Sequence, residues 1–197
     1  MESDSYGHSC QLFDGSGTTA SAVAGYFREG LAKGETLLGV MRPETWSSTV
    51  QCLRKLDVDA LALLASGQLT VLDAATTLAA LRRGGNLDRQ LFDDSVAVLL
   101  RSLAVEGRQL RVYGEMVDIL AAEGDFRSAL RLEEFWNDLR SSERFILFCG
   151  YSAVNFGSPS AADALRETCR AHTHVRTNPL DVLAAFLLQV SSSSQRP

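Results

Sequence analysis

The sequence predicts a three-layer α/β domain, in which helices flank a mostly parallel sheet of about five or more strands. Short apolar segments of strand length alternate with segments whose apolar residues recur on one helical face. In three places a glycine separates such a helix from the next strand, as expected for a left-handed helix end. Because the strand segments are apolar on both faces, we expect helices to cover both sides of the sheet.

Five segments have the length and composition of buried strands. They are Ser9–Phe13, Thr36–Met41, Leu69–Asp73, Leu110–Tyr113 and Arg144–Gly150. Since a helical pattern lies between most of them, we expect right-handed crossovers that join parallel strands.

The helical segments carry one apolar stripe each. Three of them cover Thr18–Lys33, Leu91–Val105 and Asp125–Arg140. A last helix is predicted to begin at Asn178, which is a good N-cap before Pro179. We therefore expect one domain over residues 8–190, with flexible ends at residues 1–7 and 191–197.

Composition excludes several classes of function. The 197 residues include 19 basic and 24 acidic side chains, so the net charge of −5 disfavours direct nucleic-acid binding. The polar start predicts no signal peptide, and no apolar run predicts a membrane helix. The four cysteines lie far apart, at positions 10, 52, 149 and 169, which favours reduced thiols and a cytoplasmic location.

The default ligand site of a parallel sheet is the crevice at the carboxyl ends of its strands. The residues that we expect to bind a ligand there are Asp14, Asp73, Glu115, Tyr151, His172 and His174. We expect His8, Glu133, Trp136 and Asn137 to support this site structurally.

The loop Asp14–Thr19 resembles a phosphate cradle, because small residues follow a strand and open a helix. A P-loop also needs a lysine near the end of its loop, and no lysine occurs before Lys33. We therefore interpret the loop as a helix-capping turn rather than as the site of nucleotide hydrolysis.

The histidines raise the question of a metal. His172 and His174, with His8 and a carboxylate, are residue types that bind zinc or iron. Two histidines at a helix end are a weak signal, and Cys149 ends an apolar strand where a thiol is usually inert. We predict hydrogen-bonded structural histidines, no metal, no cofactor and no catalytic residue.

Glu133 and Asn137 fall inside the apolar face of their predicted helix. Buried groups of this kind must be hydrogen-bonded, because an unpaired one costs roughly 1–3 kcal/mol or more. They either join backbone groups or an arginine such as Arg111, or they line the crevice near Glu115. The sequence leaves both alternatives open.

Several short motifs resemble those of the MEDS family, the sensory domain of methanogen and methylotroph regulators that include the dichloromethane-responsive repressor. They are His8-x-Cys10-x-Leu12-Phe13, Val112-Tyr113-Gly114-Glu115-Met116-Val117, Leu132-Glu133-x-x-Trp136-Asn137, Phe148-Cys149-x-Tyr151 and His172-x-His174-Val175. The resemblance implies a fold similar to RecA and KaiC ATPases with lost or altered nucleotide machinery, and a role in sensing.

The leading prediction is a non-catalytic signal-sensing module that binds a small organic ligand or a protein partner. Because we expect no output domain in this chain, the signal would pass to a separate regulatory protein, a kinase or a transcription factor. Self-association as a homodimer is compatible with this prediction. The alternatives are a degenerate RecA-like nucleotide-binding protein or ATPase, and a pure interaction or dimerisation module.

Overall fold

The computed structural model describes residues 7–104, 107–158 and 161–176. Within these ranges, helices flank a six-stranded sheet whose strands are all parallel, which confirms the predicted fold class. None of the helices in this part of the chain combines the length and apolar character that crossing a membrane requires.

The elements alternate along the chain as the sequence predicts. The strands are β1 (His8–Phe13), β2 (Thr36–Met41), β3 (Leu69–Asp73), β4 (Arg82–Arg83), β5 (Asn86–Leu87), β6 (Leu110–Gly114), β7 (Phe145–Ser152) and β8 (His174–Arg176). The α-helices are α1 (Ser16–Ala32), α2 (Pro43–Lys55), α3 (Ala60–Ala65), α4 (Ala74–Ala80), α5 (Arg89–Phe92), α6 (Val98–Leu103), α7 (Met116–Ala122), α8 (Phe126–Ser142) and α9 (Ala162–Ala171).

The strand order in the main sheet is β3-β2-β6-β7-β1-β8, and β4 and β5 form a separate antiparallel hairpin. All residues of β2 and β6 are buried, as their continuous apolar sequences predict for strands covered on both faces. Because β1 pairs with β7 on one side and with β8 on the other, the first strand of the chain lies inside the sheet.

Each face of the sheet has its own core. On one face, Phe27 of α1 packs in a cluster with Tyr113 and Phe148 of the sheet. On the other face, Trp136 of α8 packs edge-on against Phe92 and also contacts Phe145. Side chains of β7 thus contribute to both cores: Phe145 lies in one and Phe148 in the other.

The helix expected over Leu91–Val105 is continuous from Arg89 to Leu103, but Asp93–Ala97 is π-helical and separates α5 from α6. The helix expected from Asn178 and the tail at 191–197 lie outside the described residues, as do residues 1–6 of the predicted flexible start.

Candidate functional site

A crevice opens at the carboxyl ends of β1, β2, β6 and β7. Its volume is about 300 Å³, and its lining includes Ser16, Arg42, Glu115, Asp118, Tyr151 and Asn155. This volume lies at the lower end of the range for small-molecule pockets. The crevice therefore has room for a small ligand, and it lies where ligands of parallel sheets bind.

Arg42, at the end of β2, joins two acidic residues of the crevice wall. Its backbone N–H donates to Glu115 Oε2 over 2.7 Å, and its guanidinium lies 2.8 Å from Asp118 Oδ2. The other oxygen of Glu115 accepts a hydrogen bond of 3.0 Å from the Tyr113 hydroxyl. These contacts hold the start of α2 against the start of α7.

Asp118 also connects the crevice to the end of β7. Its Oδ1 accepts 2.7 Å hydrogen bonds from the Ser152 backbone N–H and from the Asn155 side chain. The polar groups of this wall thus satisfy one another. A ligand entering the crevice meets two carboxylates and one paired guanidinium.

Burial changes the protonation of two groups in this wall. It raises the pKa of Glu115, although the Arg42 backbone N–H and guanidinium oppose the shift. Burial, with the nearby Glu115 charge, also raises the pKa of Tyr113 well above its usual value. Tyr113 is therefore a neutral hydrogen-bond donor.

The start of α1 forms the opposite wall of the crevice. Gly15 is its N-cap and supplies no side chain to accept from the first-turn amides, and that turn holds no acidic residue. The hydroxyls of Thr18 and Thr19 both donate to the Gly15 carbonyl, so they do not cap the amides either. First-turn N–H groups can therefore donate to an oxygen atom of a ligand.

The structure separates the six predicted ligand residues. Glu115 and Tyr151 line the crevice. Asp14 is exposed next to it and does not line it, and Asp73 caps α4 by accepting from the Thr76 backbone N–H over 2.6 Å. His174 is exposed on β8, whereas His172 is buried in a second group of polar residues.

This second group, the buried His–Glu–Cys group, consists of His8, Glu133, Cys149 and His172. The four residues come from β1, α8, β7 and the turn after α9. The side chains of His8, Glu133 and His172 are fully buried, and Cys149 is 1% exposed. One ligand atom from each residue lies within 4.8 Å of the others.

Glu133 is at the centre of the group. Its Oε2 lies 3.2 Å from His8 Nε2 and 3.6 Å from Cys149 Sγ, and its Oε1 lies 3.1 Å from His172 Nε2. The Tyr151 hydroxyl donates to Oε1 over 2.5 Å. Tyr151 thus contributes to both the crevice and the buried group.

Both imidazoles are oriented by their outer nitrogens. His8 Nδ1 lies 2.8 Å from Asn137 Oδ1, and the Asn137 amide nitrogen in turn donates to the Ala171 carbonyl. His172 Nδ1 lies 2.6 Å from the Thr168 carbonyl. Because carbonyl oxygens accept, each Nδ1 carries the proton and each Nε2 points into the group.

Burial and charge act together on the acid–base properties here. Burial alone would raise the pKa of Glu133, but the two imidazoles outweigh it and hold that pKa well below its usual value. Burial and the Glu133 charge raise the pKa of the Cys149 thiol. The charge of Glu133 also outweighs burial at His172 and raises its pKa.

Arg111, one of the partners that the sequence left open for Glu133, does not contact it. Arg111 pairs with Glu35, and its guanidinium lies over the Tyr26 ring at 4.4 Å. Glu133 instead contacts two histidines and a tyrosine, and Trp136 lies in the core of the same face. No sequence signal selects Asp118 or Asn155, and the sequence does not place Cys149 in one group with His8 and Glu133.

The described residues thus form a parallel α/β domain with a small crevice at the strand ends and a separate buried polar group. The family model described as MEDS, the methanogen/methylotroph, DcmR sensory domain, matches residues 7–173. The chain therefore belongs to the MEDS family of sensory domains. A search of curated proteins finds no match.

Proposed function

We propose that this protein is a non-catalytic sensing module that binds a small, uncharged organic molecule in the crevice. The crevice at the strand ends, in a chain that belongs to a family of sensory domains, carries the proposal. Its likeness to RecA and KaiC folds remains a prediction that rests on the family resemblance.

The chemistry of the crevice favours a ligand without a large negative charge. Arg42 is already paired with Asp118, and Glu115 adds a second carboxylate to the same wall. A triphosphate would meet these carboxylates, and the described residues of the crevice lining offer no unpaired cation to balance its charge. A carbonyl or hydroxyl oxygen suits the amides at the start of α1 and needs no counter-ion.

Binding would be transmitted through the elements that meet at the crevice. The starts of α1, α2 and α7 and the end of β7 all contribute to its lining. A ligand that binds one arrangement of these elements better than another shifts the balance between them. A separate regulatory protein, either a kinase or a transcription factor, or a second copy of this chain, would then recognise the favoured arrangement.

The test is a thermal-shift screen of the full chain with small alcohols, ketones, halogenated hydrocarbons and nucleotides. A ligand present at 100 times its dissociation constant adds about 2.7 kcal/mol to the free energy of unfolding. We expect uncharged organic molecules, and not nucleotides, to raise the melting temperature.

A matched pair of variants locates the binding site. Ser16 lines the crevice and is exposed, whereas Ser21 is exposed on the same helix and is not part of the lining. Ser16→Trp should abolish the ligand-induced shift, and Ser21→Trp should preserve it. If ATP stabilises the protein and is hydrolysed, and Glu115→Gln removes the hydrolysis, the chain is a nucleotide-binding enzyme instead.

A further inference from the structure

We infer that the buried His–Glu–Cys group is a binding site for one zinc ion, with His8, Glu133, Cys149 and His172 as its four ligands. This site is separate from the proposed ligand crevice, and the inference does not depend on the sensing role. It rests on the ligand types, the distances, the orientation of the imidazoles and the charge balance.

The residue types and their spacing suit tetrahedral zinc. Imidazole nitrogen, thiolate sulfur and carboxylate oxygen are the protein ligands of zinc. With usual zinc–ligand bond lengths, neighbouring ligand atoms of a tetrahedral site are roughly 3.3–3.6 Å apart. Three of the ligand atoms have this spacing, because His8 Nε2 lies 3.4 Å from Cys149 Sγ and 3.2 Å from Glu133 Oε2, and Sγ lies 3.6 Å from Oε2. His172 Nε2 lies 3.1 Å from Glu133 Oε1, and one ligand atom from each of the four residues falls within 4.8 Å of the others.

The donors and acceptors of the group do not match unless a cation or an additional proton lies between them. If each ring carried a proton only on Nδ1, His8 and His172 would both direct Nε2 lone pairs toward the Glu133 carboxylate. The thiol of Cys149 offers one proton to these acceptors. His172 Nε2 is fully buried and makes no hydrogen bond of acceptable geometry, so a cation or an added proton must lie there.

The surroundings of the group resemble the outer shell of a metal site. Histidines that bind metals usually donate their other ring N–H to a carbonyl or carboxylate, which fixes the ring and its tautomer. Asn137 and the Thr168 carbonyl serve this purpose for the two imidazoles. Tyr151 holds Glu133 Oε1, which leaves Oε2 to face the thiol and His8.

Zinc also balances the charge of the group. A divalent cation with one carboxylate and one thiolate has no net charge, which removes most of the cost of burying ions. A bound zinc ion deprotonates a coordinating thiol, so Cys149 would become a thiolate in spite of its burial. All four ligands come from the protein, as in structural zinc sites, so we assign the ion a structural role.

Elemental analysis and cobalt spectroscopy of the full chain provide the first test. Protein expressed with added zinc should retain one zinc ion per chain after dialysis. Cobalt added to the metal-free protein should give the visible bands of a tetrahedral site and a near-ultraviolet thiolate-to-cobalt band. Removal of zinc by a chelator should lower the melting temperature, and one added equivalent of zinc should restore it.

Variants with matched controls identify the ligands. Cys149→Ser should abolish the thiolate-to-cobalt band, whereas Cys52→Ser, on α2, should retain it. His172→Asn should lose the bound zinc, whereas His174→Asn, which changes an exposed side chain, should keep it. Asn137→Ala should weaken zinc binding by about 10- to 100-fold, because it removes the partner of His8.

Two results would overturn the inference. The first is wild-type protein that is folded and retains neither zinc nor cobalt, since the group would then be a proton-filled ion pair. The second is a cobalt complex of the wild-type protein without a thiolate band. Because both measurements use the wild-type chain, they remain decisive if a ligand variant fails to fold.

Discussion

At the scale of single residues, Glu133 shows how a polar side chain can be accommodated in an apolar core. It lies on the buried face of α8, where its carboxylate contacts His8 and His172 and accepts from Tyr151. Removing the carboxylate would be costly, because it leaves the buried Tyr151 hydroxyl without its acceptor and the two buried imidazoles without their anionic neighbour.

We therefore expect Glu133→Leu to lower the free energy of unfolding by about 3–5 kcal/mol, the usual cost of removing one partner of a buried ionic group. Urea denaturation measures this change. The matched control is Glu134→Leu, which alters an exposed carboxylate in the same helix and should change stability by about 0.5 kcal/mol or less. Equal effects of the two substitutions would contradict a central role for Glu133.

The raised pKa of Glu115 predicts how the free energy of unfolding depends on pH. Because burial raises its pKa in the folded protein, its stabilising contribution is complete below the ordinary value of 4.5 and is lost as pH rises through the higher, folded pKa. The groups that act on it are Arg42, Thr45 and Tyr113. Glu115→Gln removes this titration but also changes its hydrogen bond to the Arg42 backbone N–H.

The destabilisation caused by Glu115→Gln should therefore be larger at pH 4 than at pH 7. Parallel urea titrations of the wild-type and variant proteins at the two pH values measure it. Glu134→Gln controls for the loss of one exposed carboxylate. A difference that grows with increasing pH would show that the pKa of Glu115 is lowered, not raised.

Single residues also show how much of the site could be predicted. The position of Glu115 follows from its place after β6, because the carboxyl ends of parallel strands meet at one edge. The partners of Glu133 do not follow from helical periodicity, which shows only that its side chain is buried. Joining Cys149 to His8 requires the pairing of β1 with β7, which is long-range and not encoded in either segment.

At the scale of elements, α1 shows how a helix is fitted closely to the sheet. A Cβ added at Gly30 would lie 2.8 Å from Arg111 Cδ and from Leu37 Cδ2, whereas one added at Gly25 would meet no atom within 4 Å. Gly30 is buried and Gly25 is exposed in the same helix. The two glycines therefore have opposite structural roles.

We expect Gly30→Ala to destabilise the protein by about 1–3 kcal/mol, because the added methyl displaces the Arg111 side chain and overpacks the core. Gly25→Ala should stabilise it by about 0.5–1 kcal/mol, since alanine is the better helix former. Thermal or urea unfolding of both variants measures the two signs. Destabilisation by Gly25→Ala would contradict the open space around that residue.

The elements themselves were largely predictable, for a physical reason. Strands such as β2 and β7 are continuously apolar, so they stand out without any knowledge of their neighbours. The π-helical segment Asp93–Ala97 was not predictable, because its apolar spacing is close to that of an α-helix. The hairpin of β4 and β5 was missed since each strand has only two residues.

At the scale of the whole molecule, the sheet brings distant parts of the chain together. Thr173, just before β8, binds the backbone of His8, although 165 positions separate them. Its hydroxyl accepts from the His8 N–H over 2.9 Å and donates to the His8 carbonyl over 2.7 Å. These bonds fasten the turn that carries His172 to the first residue of β1.

Thr173→Val should therefore weaken the docking of β8 on β1, with a loss of about 1–2 kcal/mol for two hydrogen bonds. Because valine carries a methyl group in place of the hydroxyl and is otherwise similar in shape, the change isolates the hydroxyl. Hydrogen exchange should accelerate at the β1 amides that face β8 and remain slow in β2 and β6, which lie farther across the sheet. Thr70→Val, in the opposite edge strand β3, is the control and should leave exchange in β1 unchanged. Uniformly faster exchange across all strands in Thr173→Val would show that global unfolding, and not release of β8, governs exchange.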